Sequence, residues 1–103
     1  VSLPVPPLSS IDIAEPTDVS FLQARLTPHP FSTFTTPLTL THPVGNGLPV
    51  DYITCVGPVY QPAIQAHDRA RAKGWPISEL HTSHEAMVTL PKETAALLDS
   101  LSR

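Results

Sequence analysis

Nine of the thirteen prolines in this chain fall before residue 50, and they divide it into two stretches with different prospects of regular structure. Proline fixes φ and lacks a backbone donor, so a segment dense in it cannot carry long helices or central strands. Residues 1–14, with Pro4, Pro6 and Pro7 among small apolar side chains, are expected to run extended or polyproline-like over another surface. A short helix is expected from Glu15-Pro16-Thr17-Asp18. Thr17 or Asp18 would cap it, Val19, Phe21, Leu22 and Leu26 would form its apolar stripe, and Pro28 would stop it. Residues 28–37 read as irregular, with Phe31 and Phe34 as anchors. Leu38 to Thr41 alternate apolar and polar, as in a short edge strand or extended segment, and Gly45-Asn46-Gly47 between Pro43 and Pro49 marks a turn.

Beyond residue 50 the pattern changes. Val50 to Val56 is β-branched and aromatic-rich, the strongest strand signal in the chain, and Gly57-Pro58 ends it. Residues 61–73 set Ala63, Ile64, Ala66, Ala70 and Ala72 among charged residues, a helix with a small-residue face. Gly74 supplies a left-handed stop, with Trp75 folding back onto the last turn. Pro76 to Leu80 is a second short strand. Pro91 opens a final amphipathic helix with Thr94, Leu97, Leu98 and Leu101 at helical spacing. Strands joined by a crossover helix of this length should be parallel neighbours. Two parallel strands cannot form a stable sheet alone, because both faces and both edges need cover. The expected class is therefore α/β and incomplete as an isolated domain, with a Pro-rich segment over residues 1–49 and a strand–helix–strand–helix unit over 50–103.

Bulk properties narrow the function. At 103 residues the chain makes one small domain or part of a larger one. A formal net charge of −3 without a basic stripe argues against nucleic acid as partner. No apolar run is long enough for a membrane span. The start Val-Ser-Leu-Pro lacks a signal-peptide pattern and an initiating Met, as an internal cut or a mature end would. The lone cysteine, Cys55, rules out an internal disulfide framework and fits a reducing compartment, so the expected location is cytoplasmic.

His84 is the candidate for chemistry. It sits on a loop just past the second strand and is backed by the Pro91 helix, the placement by which α/β enzymes present a general base. A polar loop histidine making a local hydrogen bond is the plainer reading. His81 and His84 are three apart, but no Cys or carboxylate cluster at ligand spacing accompanies them, so no metal is expected. His29, His42 and His67 read as surface or structural residues, and Cys55 as a small buried hydrophobe. Asp68 reads as a solvated partner of Arg71, Glu85 as a helix-start or loop carboxylate, and Asp51 lies at the far end of its strand. Phe21, Leu22, Phe31 and Phe34 either line an acyl pocket or hold the Pro-rich segment down.

The blocks P-V-D-Y-I-T-C (49–55), Q-P-A-I-Q-A (61–66), G-W (74–75), E-L-H-T-S-H-E-A-M (79–87) and L-P-K-E-T-A-A-L-L (90–98) resemble the C-terminal end of α/β-hydrolase fold enzymes. Within that superfamily they are most similar to the small esterase group that includes plant methylesterases and hydroxynitrile lyases. The stretch D-V-S-F-L-Q-A-R-L-T-P-H-P-F (18–31) is similar to the cap-to-core segment of bacterial members, so the resemblance covers about residues 15–101. It implies a Ser–His–Asp triad in the chain order Ser, acid, His, with His84 at the histidine position. It also implies hydrolysis of a small carboxylic ester without cofactor or metal. The chain contains no G-x-S-x-G elbow, so the serine is expected upstream, in the same protein or in a second chain that completes the sheet. In the acid-bearing D-x-x-x-x-P-x-x-Q arrangement this chain reads G-P-V-Y-Q-P-A-I-Q, placing Gly57 at the carboxylate position. Either the acid comes from another strand or the triad is reduced to a dyad. Two alternatives belong beside the esterase: a non-catalytic fragment or interaction module that pairs its sheet edge with another chain, and a lyase on the same fold.

Overall fold

The computed structural model describes residues 1–102. Its first strand, β1 (Ser2–Leu3), pairs antiparallel with β2 (His29–Pro30) in the register Ser2↔Pro30 and Leu3↔His29. The Phe31 N–H extends this ribbon by donating to the Val1 carbonyl at 3.0 Å. Ser2 and Leu3 are extended as expected, but Leu8–Ile11 turn into a short 3-10 helix instead of continuing so, and the pairing with the 28–37 stretch is not foreshadowed by composition. Between them lies α1 (Pro16–Gln23), opened by Pro16 at its first position. Glu15 stands at the cap without a side-chain bond, so neither Thr17 nor Asp18 caps this helix. They are its second and third residues, in the first turn, where the Asp18 charge is favoured by the positive end of the helix dipole. The helix ends well before Pro28, and of its expected stripe only Leu22 is buried. Arg25 covers Phe21 instead, its guanidinium 4.0 Å from the ring centre and bonded to the Phe21 carbonyl at 3.0 Å.

A single helical turn, α2 (Ser32–Thr35), follows β2. Phe31 and Phe34 do not anchor it: they are 43% and 69% exposed, and Phe34 leans on the His29 ring. Leu38 to Thr41 form no strand; they lie between Pro37 and Pro43, which have no N–H to give to a ladder. The expected turn does form. Gly45, Asn46 and Gly47 all take positive φ, and the Asn46 N–H donates to the Pro43 carbonyl at 2.9 Å.

In the second half, β3 (Tyr52–Cys55), α3 (Ile64–Ala72) and β4 (Ile77–Leu80) make a crossover unit. The strands pair parallel in the register Tyr52↔Ile77 to Cys55↔Leu80. Gly74 takes φ 68° after α3, and the Trp75 N–H folds back to the Ala70 carbonyl at 3.2 Å. Helix and strand meet through small or satisfied groups. Ala70 is fully buried, and the buried His67 ring lies 3.2 Å from the Thr54 hydroxyl and edge-on to Tyr52. His67 is therefore structural. A short helix absent from the sequence reading, α4 (Ala86–Thr89), then precedes α5 (Pro91–Leu101). The Thr94 hydroxyl ties the two together by donating to the Ala86 carbonyl at 3.2 Å.

The chain is mixed α/β, with one small antiparallel and one small parallel sheet. Neither outer edge of β3–β4 meets a further strand among the described residues. The buried apolar residues are Ile13, Leu22, Ala70, Leu80 and Ala86, a thin core. The accessible surface is 7648 Å², whereas a folded monomer of this mass exposes about 5,700 Å². The radius of gyration is 15.8 Å, against about 13 Å for a compact chain of this length. No helix among the described residues is long and apolar enough to cross a membrane.

Candidate functional site

The carboxyl ends of β3 and β4 open onto two loops that are stitched together. The Val56 N–H donates to the Leu80 carbonyl and the Gly57 N–H to the Thr82 carbonyl, both at 2.9 Å. After β3 the backbone turns tightly, Val56 bridging to Val59 across Gly57 and a cis-Pro58, and so delivers Tyr60. After β4 it runs through His81, Thr82, Ser83 and His84 into α4.

Gly57 lies within this stitching. A Cβ placed on it would lie 3.0 Å from the Thr82 nitrogen and 3.1 Å from the His81 carbonyl carbon, tighter than most Cβ contacts with backbone. Any side chain here would need the two strand exits to give by a few tenths of an ångström. The position expected to hold the acid carries no carboxylate.

His84 is exposed, and its ring stacks on that of Tyr60 with centroids 4.3 Å apart and planes 20° off parallel. Tyr60 itself is half-buried, and its carbonyl accepts the Ala63 N–H at 2.9 Å at the start of the turn leading into α3. The loop beneath His84 is held by hydroxyls. Buried Thr82 shares a hydrogen bond with Thr89, whose hydroxyl also donates to the Glu85 carbonyl at 3.3 Å. Ser83 is buried with its hydroxyl unpartnered among the described residues. Glu85 starts α4, its carbonyl accepting the Val88 and Thr89 N–H groups.

Cys55, at the end of β3, is half-buried rather than buried. Burial pushes its thiol above the ordinary value of 9.0; the Ala86 N–H pulls it down and the Glu85 charge pushes it up again. A thiol so placed stays protonated and is no nucleophile at neutral pH.

The other sequence candidates disperse. His81 is exposed, 4.0 Å from the equally solvated Glu79 carboxylate, and such a pair contributes little. His29 sits on the surface against Phe34 and Thr33, and His42 is exposed. Asp68 and Arg71 form the expected solvated pair at 3.4 Å. No three His, Cys, Asp or Glu side chains among the described residues cluster as metal ligands would. Of the four apolar residues expected at a pocket or as anchors, Phe21 faces a cavity. It lines an apolar cavity of about 260 Å³ between α1 and the α4–α5 junction, opposite Met87, Val88 and Pro91.

Sequence reasoning singled out His84 and did not single out Tyr60 or the Thr82–Ser83 pair that the structure places around it. A hydroxyl pair directly after a strand end was the available signal for the latter. Compared with protein-family models, curated proteins and solved structures, the chain matches none.

Proposed function

We propose that this chain is the C-terminal part of an α/β-hydrolase-type serine esterase acting in the cytoplasm, with residues 1–49 as a Pro-rich cap-to-core segment. His84 is its general base and acid, serving a serine on an upstream segment or on a second chain that completes the sheet. The observation that carries this reading is an exposed imidazole past the carboxyl end of a parallel strand pair whose outer edges are unfilled. Ligands of α/β sheets bind beyond the carboxyl ends of the strands, where His84 stands.

In the proposed reaction the serine hydroxyl attacks the carbonyl of a small ester while His84 takes its proton. The imidazolium then returns that proton to the departing alcohol, leaving an acyl-serine. Water repeats the cycle: His84 accepts a proton from it, and the serine leaves with that proton as the acid product is released. Backbone amides near the serine would hold the oxyanion. Because Gly57 stands where the carboxylate would be, the acid either comes from another strand or is dispensed with.

The test is hydrolysis of 4-nitrophenyl acetate by the chain combined with the serine-bearing segment. His84→Ala is expected to lower kcat by about 10³-fold or more, while His81→Ala leaves it unchanged. Equal rates in wild type and both variants would sink the reading. They would favour the interaction module, which the extra accessible surface also supports: a chain exposing 7648 Å² has apolar area to give to another chain.

A further inference from the structure

We infer that Tyr60 is the positioning residue of His84, orienting the imidazole by ring stacking at a site where a glycine, Gly57, stands in place of the expected carboxylate. The inference rests on the reading of His84 as general base.

An imidazole acting on serine must be held in one plane so that a ring nitrogen stays aimed at the hydroxyl, and the charge it acquires must be stabilised. An orienting carboxylate supplies both effects. Here Gly57 offers none, and a methyl group in its place would already lie within 3.0 Å of the Thr82 backbone. Among the described residues no ion pair joins a carboxylate to His84; Glu79 lies beside His81, and the Glu85 charge acts on the Cys55 thiol.

The Tyr60 ring can supply both effects instead. At 4.3 Å and 20° it confines the imidazole plane, leaving the nitrogen-bearing edge free at the periphery of the stack. The ring face also favours the imidazolium that forms during proton transfer, because the aromatic quadrupole is negative above the plane. The two rings come from different strand exits, and the Gly57–Thr82 hydrogen bond fixes those exits relative to each other. Tyr60 is further secured by the Val56–Val59 bridge before it and the Ala63 N–H bond after it. The stack is therefore built on anchored backbone on both sides.

The experiment compares wild type, Tyr60→Leu, Tyr60→Phe and His84→Ala in the complete protein, with 4-nitrophenyl acetate as substrate. Proton NMR of the His84 ring provides a second readout that needs no turnover. Tyr60→Leu is expected to move the His84 ring protons downfield, as they leave the shielding face of the tyrosine. It should also lower kcat about 2- to 5-fold with KM little changed, the factor expected from a partly exposed ring over a cation. Tyr60→Phe should restore both shift and kcat, because the face and not the hydroxyl acts. If Tyr60→Leu leaves kcat unchanged while His84→Ala abolishes it, the inference is overturned and the esterase reading stands, whether or not the NMR signals move. If Tyr60→Phe fails to restore kcat, stacking is not the cause and the inference again falls. If His84→Ala has no effect, both fall together.

Discussion

Cys55 shows how one side chain's surroundings decide whether it reacts. It ends β3 within reach of the Ala86 N–H, and a thiolate there would gain one donor. Burial outweighs that gain, and the Glu85 carboxylate adds to the opposition, so the net direction is upward from 9.0. The thiol is protonated in the folded chain at pH values where an unfolded one has begun to ionise. Folding therefore takes up a proton in that window: the stability this residue contributes is complete below about pH 9 and is lost as pH rises through the folded value. Alkylation by iodoacetamide should accordingly climb with pH later in the native chain than in urea. Coincident rate profiles would contradict the assigned environment. His67 makes the complementary point, since its ring is buried yet satisfied by Thr54 and Tyr52, and its place is in the packing of α3 on β3.

Among the elements, the junction of the β3 and β4 exits is the most sensitive to change. Gly57→Ala would press a methyl against the Thr82 and His81 backbones, neither of which can swing aside as a flexible side chain would. Overpacking of this kind costs about 1–3 kcal/mol, and the midpoint of urea unfolding should fall accordingly. An unshifted midpoint would mean the exits are looser than their hydrogen bonds indicate. The same junction marks where sequence reading stops. The crossover unit and α5 are legible because their signals are local: β-branched runs, Gly74 after a helix, Pro91 before one. The β1–β2 ribbon is not, because nothing in Ser2–Leu3 points to His29–Pro30 across the intervening helix. The four residues of α4 are too few for a period to register. At the site, His84 is visible from its place after a strand, whereas Tyr60 becomes its neighbour only through the stitching of two loops distant in sequence. The Thr17 and Asp18 caps fail for a simpler reason: Pro16 already occupies the first helical position, which moves the cap back to Glu15.

At the scale of the whole molecule, a surface of 7648 Å² around a core of five buried apolar residues has a thermodynamic signature. Heat-capacity increments on unfolding track the apolar area newly exposed to water, and an ordinary domain of this length releases about 1.2–1.5 kcal/mol/K. Because so much of that area is already wet in the native chain, calorimetry should record a markedly smaller increment and a broad, shallow endotherm. A sharp transition with the ordinary increment would show that the exposed apolar residues find cover in solution. A flattened stability curve also means that this polypeptide's persistence would vary little between cold and warm conditions, leaving association, rather than temperature, as its main source of added resilience.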